Sequence, residues 1–203
     1  FRKVTDFINL NIGIDLMPQH NKLNYKYMGK EYPEVKRSVF NIAPRANLRW
    51  NFDKHTNLRL RYQGRTSQPS MTNLLDIKDD SNPLYISKGN PNLKPSFSHQ
   101  VNFNYNGYKP DPQRGTWVWA NFNTTQNSIS NKTYDPVTGV RTTMPMNING
   151  NWNTGGGLGM NTGIGAKKLF NAGANAGMGY SHNVGFYNNV AEGNVDDQDI
   201  RSI

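Results

Sequence analysis

Apolar and polar side chains alternate along seven segments of the chain. Between residues 8 and 16, every even position is isoleucine or leucine, and every odd position is asparagine, glycine or aspartate. Such a two-residue period places alternate side chains on opposite faces of a β-strand. The period recurs at residues 40–52, 58–65, 97–106, 116–124, 152–165 and 170–181. The pattern therefore predicts an all-β, antiparallel fold with about seven strands.

The polar side of these segments is mostly uncharged. In residues 97–106 the apolar parity carries phenylalanine, valine and tyrosine, whereas the polar parity carries glutamine and asparagine. A strand with lipid on one side and water on the other needs hydrocarbon on one parity and hydrogen-bonding groups on the other. Asparagine and glutamine suit a hydrated interior because they add no net charge.

The connections between the predicted strands alternate in length. The short ones are DKHT, KPDPQRG and AKKL, and the long ones are residues 17–38, 66–96, 125–150 and 184–203. Outer-membrane barrels have short periplasmic turns and longer extracellular loops. A soluble sandwich has no reason to sort its loops in this way, so the alternation favours an up-and-down transmembrane barrel.

Aromatic residues gather near the three short turns. They are Trp50, Phe52, Tyr105, Tyr108, Trp117, Trp119 and Phe170. Amphipathic rings collect at membrane interfaces, where they form girdles around barrels. The cluster predicts an aromatic girdle at the turn end.

Composition narrows the function classes. The 203 residues carry a net charge of +9, which first suggests an anionic partner. There is no cysteine, so disulfides and thiol catalysis are excluded. No apolar run is long enough for a transmembrane helix, but a membrane strand needs only about 9 to 11 residues. The termini carry no start or stop signal, and we expect a fragment of a longer protein.

A segment at residues 68–96 carries a resemblance. It reads QPSMTNLLDIKDDSNPLYISKGNPNLKPS and resembles the barrel region of TonB-dependent outer-membrane receptors, which often carry Gly-Asn-Pro-x-Leu-Lys-Pro-Glu at the entry to a strand. The likeness extends to the outer membrane protein beta-barrel subfamily through RTSQPS at 65–70 and TMPMNINGNWNTGGGLG at 143–159. The matching signature positions are Gly89, Asn90, Pro91, Asn92, Leu93, Lys94 and Pro95. The family's acidic residue is replaced by Ser96.

The signature has a structural interpretation. We expect Gly89 to adopt a positive φ, and Pro91 and Pro95 to restrict their neighbours. Together they would return a long outer loop to the barrel rim in a fixed register.

The resemblance implies a 22-stranded barrel in the bacterial outer membrane, closed around an amino-terminal plug and energised by TonB. Seven strands are about a third of such a barrel, so residues 1–203 are expected to form a partial barrel domain, with no segment matching a plug. The implied partners are outer-membrane lipid, the plug of the same full-length chain, TonB, and possible surface lipoproteins or other outer-membrane proteins. Ligand would bind at the long loops and the upper lumen.

Five arginines share the polar parity of the second and third segments: Arg45, Arg49, Arg59, Arg61 and Arg65. A short turn would place Arg49 opposite Arg59 or Arg61, which is unfavourable for like charges. Asp15 is the one inward carboxylate of the predicted strands. Two interpretations stay open: the arginines form salt bridges with acidic residues of a plug, or they form a basic wall for anionic ligands such as ferric siderophores or charged glycans.

Other candidates are weaker. The loop tyrosines Tyr25, Tyr27, Tyr32, Tyr85 and Tyr134 could stack on a sugar or an aromatic chelate. The glycines of NTGGGLGMNTGIG do not fit a phosphate loop, and we expect them instead to leave room for a close neighbour such as the plug. The four histidines have no metal-ligand spacing. No cofactor, metal site or catalytic arrangement is expected, so we predict no enzymatic activity.

Three functions are compared on this basis. The first is a TonB-dependent receptor that takes up a scarce ligand, and the second is a non-transporting outer-membrane barrel such as an adhesin or assembly component. The third is a soluble nucleic-acid-binding sheet, which would need basic and aromatic side chains on one face. Arg45 to Arg65 lie opposite the apolar parity of their strands, so nucleic acid is not an expected partner.

Overall fold

The computed structural model describes residues 1–27, 29–32, 34–111, 113–134, 139–165, 168–187 and 199–202. A 3₁₀ turn spans Thr72–Leu74. Among the described residues, no helix has the length and apolar character needed to cross a bilayer. The strands are β1 (Arg2–Val4), β2 (Ile8–Leu23), β3 (Lys26–Tyr27), β4 (Lys30–Glu31), β5 (Val35–Asn51), β6 (Thr56–Ser67), β7 (Lys78–Asn82), β8 (Tyr85–Lys88), β9 (Ser96–Lys109), β10 (Arg114–Gln126), β11 (Ser128–Tyr134), β12 (Arg141–Ile148), β13 (Asn151–Ile164), β14 (Phe170–His182), β15 (Val184–Tyr187) and β16 (Asp199–Ser202).

The long alternating segments form one sheet. Its order is β1-β2-β5-β6-β9-β10-β13-β14, and every neighbouring pair is antiparallel. Each strand therefore pairs with the next long strand along the chain, as in an up-and-down barrel wall. The seven predicted strands are confirmed. β1 adds an eighth, which is too short at three residues to show a period.

A single register keeps the two parities on separate faces. Asn9 lies opposite Arg49, Arg49 opposite Arg59, and Arg59 opposite Asn104. We call this polar side the inner face; it holds the odd positions of β2, β5, β6, β10, β13 and β14 and the even positions of β9. The other side, the outer face, carries the apolar parity.

Among the described residues, none forms a second layer packed on the outer face. The buried apolar side chains of the described residues are Leu74, Leu75, Leu93, Ile148 and Val184, and all five lie outside the eight-stranded sheet. On the outer face, Phe40 and Phe170 are each 73% exposed and Met178 is 81% exposed. Removing apolar surface from water stabilises a protein by about 25 cal/mol per Å², and a continuous apolar face left in water would lack this free energy. Such a face is satisfied by lipid, as the alternation predicted.

The apolar face has the height of a membrane. On β14 its exposed ends are marked by Phe170 and Tyr180, which are ten residues apart. At about 3.3 Å per residue this is about 33 Å along the strand, or about 25 Å when the strand is tilted by about 40°. That value matches the apolar band of an outer-membrane barrel.

Aromatic side chains mark both ends of the outer face. At the turn end, the rings of Trp50 and Phe52 stack with centroids 4.7 Å apart. At the loop end, Trp152 lies 6.2 Å from Phe122 and 5.2 Å from Tyr180 between ring centroids. This second belt also includes Tyr62, Phe97, His99 and His182. The belt at the turn end was predicted from the sequence, whereas the belt at the loop end was not.

The girdle prediction is wrong for three residues, which do not lie on the outer face. Trp117, Trp119 and Tyr108 lie on the inner face, because Trp119 is opposite Asn104 and Trp117 is opposite Asn106. Their proximity to short turns was misleading, whereas their parity places them with Asn121. Aromatic rings and arginines therefore share the inner face, contrary to the segregation expected from the sequence.

The glycines of β13 make room for these tryptophans. A Cβ atom at Gly157 would lie 2.6 Å from Trp119 Nε1, and one at Gly159 would overlap the Trp117 ring. Within this sheet, the close neighbours of these two glycines are thus Trp119 and Trp117 of the adjacent strand. The predicted contact with a plug stays a prediction.

Strand pairing continues above the membrane. Residues 17–38 were predicted as a loop, but β2 extends to Leu23 and β5 begins at Val35, so the connection spans only residues 24–34. The period is lost there because both faces of the hairpin meet water, yet the backbone pairing persists.

The two loops predicted at 66–96 and 125–150 fold together. They contribute the strands of a second sheet with the order β11-β12-β8-β7, in which β8 and β12 are parallel. Arg141 N donates to Leu84 O at 2.9 Å beside this junction. We call residues 68–95 together with residues 127–150 the crown. Of the fourth predicted loop, 188–198 and 203 lie outside the described residues.

Candidate functional site

The inner face carries a wall of exposed arginines. One of them is neutralised, since Arg45 Nη1 lies 3.1 Å from Asp15 Oδ2. Two others bond to amides: Arg49 Nε donates to Asn51 Oδ1 at 3.0 Å, and Arg61 Nε donates to Asn47 Oδ1 at 3.1 Å. An amide satisfies a guanidinium donor but does not balance its charge.

Like charges meet at the centre of this wall. Arg49 lies directly opposite Arg59, which is the first of the two predicted registers. Within the described residues, no carboxylate forms an ion pair with Arg49, Arg59, Arg61 or Arg65. Opposed like charges cost strand-pairing energy. This wall is therefore suited to bind acidic groups from outside the sheet.

A trough of about 480 Å³ runs along the inner face between β6 and β9. Its lining combines two guanidinium groups with side-chain amides, from Arg59, Arg61, Gln63, Gln100, Asn102, Asn104 and Asn106. Amides both donate and accept hydrogen bonds, whereas guanidinium groups only donate. The trough can therefore hold a polar, anionic surface.

A second concavity lies in the crown. It has a volume of about 320 Å³ and is lined by Tyr25, Thr72, Asn73, Leu75, Ile77, Asp79, Ser87, Lys88, Gly89, Asn131, Thr143 and Pro145. Residues from three long connections meet here, so the pocket exists only when these connections are folded together. Its lining combines an aromatic ring, hydroxyl groups, two side-chain amides and both signs of charge.

Gly89, the first residue of the signature at residues 89–95, lines this pocket. A Cβ atom at Gly89 would overlap the carbonyl oxygen of Leu75, and Gly89 has no positive φ. The expected reason for this glycine was wrong, because the position requires close backbone approach rather than a left-handed conformation. Asn90 connects the signature to both loops of the crown. Its backbone N donates to Asn73 O at 2.6 Å, and its Nδ2 donates to Pro145 O at 3.0 Å. The predicted role of the signature in returning the loop to the barrel rim stays a prediction.

Asn147 joins the two loops of the crown. Its Oδ1 accepts from Lys94 N at 2.7 Å, and its Nδ2 donates to Lys94 O at 3.0 Å and to Asn127 O at 2.8 Å. One side chain thus bridges the end of the signature and the start of β11. Asn147 was not predicted as a site residue, although it lies within residues 143–159.

We expect Asn147→Ala to loosen the crown without unfolding the wall. The variant leaves Lys94 N, Lys94 O and Asn127 O without this partner. The Lys94 groups are exposed and can bind water, whereas the contact at Asn127 O is part-buried, and a buried acceptor without a partner costs about 1–3 kcal/mol. Hydrogen exchange of crown amides in the full-length protein should rise, while β9 and β13 stay protected. Asn147→Asp is the matched variant: it keeps the acceptor, loses both donated bonds and should give an intermediate effect. Equal protection in all three proteins would contradict this role.

The predicted loop tyrosines are partly brought together. Tyr25 lines the crown pocket, and its ring lies 5.8 Å from that of Tyr32 between centroids. Tyr85 is 48% exposed on β8, and its hydroxyl accepts from Thr143 Oγ1 at 3.5 Å. The side chains of Tyr27 and Tyr134 lie outside the described residues. The geometry therefore places Tyr25 at the pocket, with Tyr32 behind it.

An amide network between wall and crown was not predicted. Buried Asn41 donates from Nδ2 to Gln19 Oε1 at 2.8 Å and accepts on Oδ1 from Gln68 Nε2 at 2.7 Å. These residues come from β2, β5 and the first residue of the crown. The odd position of Asn41 on β5 could have predicted that its side chain lies on the inner face. Its partners Gln19 and Gln68 could not be predicted, because they lie beyond the predicted ends of their strands.

No metal-ligand cluster is found among the described residues. His20 Nδ1 lies 2.9 Å from Ser38 Oγ, and His99 Nδ1 lies 3.0 Å from the Tyr62 hydroxyl. Both histidines lie on the outer-face parity near the loop end, where each has a hydroxyl group as its partner.

Comparison with known proteins supports an outer-membrane β-barrel. A family model described as the outer membrane protein beta-barrel family matches residues 19–201. No curated protein matches the chain. Among solved structures, the copper transporter OprC matches with a TM-score of 0.52 and 15% identity, over 80% of this chain and 25% of that one. The chain thus spans about a quarter of the length of that structure, and the likeness concerns the fold alone.

Proposed function

Because this chain belongs to the outer membrane protein beta-barrel family, we propose that it forms part of the barrel wall and the outer loops of a TonB-dependent receptor. The family places the chain in the bacterial outer membrane, which removes the soluble nucleic-acid-binding alternative. The role proposed is uptake of a scarce ligand through a plugged barrel, without catalysis by this chain.

The observation that carries the proposal is the crown. A barrel that merely anchors a protein has no need for two loops joined by a parallel strand pair, Tyr85–Ser87 with Arg141–Thr143. Here that junction shapes a pocket of about 320 Å³ from three connections. Small-molecule sites are concave and largely preformed, with a few convergent polar groups. A crown of this kind supports capture of a ligand from outside the cell.

The inner wall supports a plug. Four arginines have no carboxylate partner among the described residues. A trough runs between two of them, Arg59 and Arg61, and the β9 amides. We propose that these arginines form ion pairs with acidic side chains on the surface of a plug from the same full-length chain. An anionic ligand would then meet the same wall only after the plug rearranges.

The decisive experiment measures binding of the purified periplasmic domain of TonB to the full-length protein in detergent. A TonB-dependent receptor should bind it, with affinity that depends on the segment before the plug. A folded, heat-modifiable protein that does not bind TonB would be a non-transporting barrel, such as an adhesin or assembly component. This result would contradict the proposed uptake while leaving the fold assignment intact.

Neutralising the wall should loosen the plug. For Arg59→Gln combined with Arg61→Gln, we expect more frequent open events in planar bilayers under mild urea. Each lost ion pair contributes up to about 1 kcal/mol, so the open population should rise by up to about 30-fold. Arg59→Lys with Arg61→Lys keeps the charge and should stay close to wild type. If the glutamine variant opens no more often than wild type, the arginines do not hold the plug, and the alternative is that they bind an anionic ligand.

A further inference from the structure

Two cations face each other at the turn end of the outer face. Lys109 ends β9, Arg114 begins β10, and the two lie directly opposite one another. Lys109 shares its parity with Tyr105 and Gly107, which places it on the outer face. Both side chains are exposed. Opposed like charges destabilise a strand pair, so the arrangement calls for an anion between them.

The nearby carboxylates are engaged elsewhere. Asp111 lies in the turn between the two cations, but its Oδ1 accepts from Lys168 Nζ at 2.7 Å. This hydrogen bond and the charge of Lys168 hold the pKa of Asp111 below its usual range. Asp53 in the neighbouring turn accepts from His55 N at 2.6 Å. In the part of the chain that the structure describes, no carboxylate forms an ion pair with Lys109 or Arg114.

The position of this pair is the edge of the apolar band. The Tyr105 ring extends along β9, so that a Cβ atom at Gly107 would lie 2.9 Å from its hydroxyl oxygen. That hydroxyl therefore points from the apolar face toward Lys109. Tyrosine takes this orientation at a membrane interface, with its ring in lipid and its hydroxyl among headgroups. Since short turns are periplasmic, the headgroups belong to the periplasmic leaflet.

We propose that Lys109 and Arg114 together bind the phosphate of a phospholipid in the periplasmic leaflet of the outer membrane. Arginine offers a planar fork that binds two phosphate oxygens, and lysine offers a compact charge on the opposite side. A single phosphate would offset the repulsion between the two cations. Its acyl chains would lie along the outer face beside Tyr105.

The test titrates dioleoyl phosphatidylglycerol into the detergent-solubilised full-length protein and counts retained lipid by native mass spectrometry. Wild type should retain this lipid in preference to dioleoylglycerol, which has the same chains and no phosphate. Each cation near a lipid surface contributes about fivefold in affinity, so Lys109→Gln with Arg114→Gln should weaken retention by about 30-fold. If that double variant does not give a heat-modifiable barrel, each single variant should show about fivefold.

The chain offers a matched control at the other end of the outer face. Lys22 lies opposite Lys36, and Glu34 forms ion pairs with both. Lys22→Gln with Lys36→Gln removes the same charge, and retention should stay within about twofold of wild type because the site is elsewhere. Three results would overturn the proposal: full retention by the Lys109 and Arg114 variants, equal loss in the control, or displacement of the lipid by inorganic phosphate at the same concentration.

Discussion

Gly89→Ala is expected to open the crown while leaving the membrane wall folded. The added Cβ would overlap the Leu75 carbonyl oxygen and approach Asn73 O at 3.0 Å. Both neighbours are backbone atoms, so no side chain can rotate away to make space. We expect a loss of about 3 kcal/mol, the upper end of the usual cost of overpacking. The loop between β6 and β9 should separate from β12.

Limited proteolysis of intact cells is the appropriate measurement, since only surface segments are accessible. Gly89→Ala should become sensitive to cleavage in residues 68–95 while its heat-modifiable migration persists. Gly185→Ala is the matched control, because a Cβ there meets nothing within 4 Å and its φ is not positive. A crown in Gly89→Ala that resists protease as well as wild type would show that the backbone contact is not needed.

Ala176→Arg should destabilise the barrel by about 2–4 kcal/mol, the cost of arginine on a lipid face at the bilayer midplane. Ala176 lies at the centre of β14 on the outer face, opposite Leu158. The preceding residue, Asn175, lies on the inner face opposite Gly159. Asn175→Arg introduces the same side chain one position away and should change stability by less than about 0.5 kcal/mol.

Urea unfolding of the full-length protein refolded into vesicles measures this difference. The comparison is sharp because the two variants share strand, depth and introduced residue, and differ only in the face. Equal destabilisation would mean that neither side of β14 is in lipid. A larger effect at Asn175 would reverse the assignment of the two faces.

The strands of the wall could be predicted from sequence because two solvents act on alternate residues. Lipid favours an apolar side chain at Ala176, and water favours a polar one at Asn175. Repeated along a strand, this alternation produces the two-residue period of the sequence. Where both faces meet water, as in residues 17–23 and in the crown, the period disappears while strand pairing continues. The parallel contact between β8 and β12 joins residues far apart in sequence, and no local pattern indicates it.

The inner wall was predictable in its faces and partly in its pairing. The turn length limited Arg49 to two partners, and the structure selects Arg59. The fit of Trp119 over Gly157 was missed because the aromatic residues were grouped by nearness to turns rather than by parity. The reason for Gly89 was also missed, since a backbone approach from Leu75 leaves no trace in the residues around it.

The parallel pairing of β8 with β12 also constrains the order of assembly. Residues 85 and 141 become neighbours only after β9 and β10 lie side by side, because the loops that carry them leave the ends of that hairpin. Closing a contact over so long a stretch of chain costs entropy that local pairing does not. We therefore expect the crown to form after β9 and β10 have paired, so that an intact crown indicates correct pairing of the two strands beneath it.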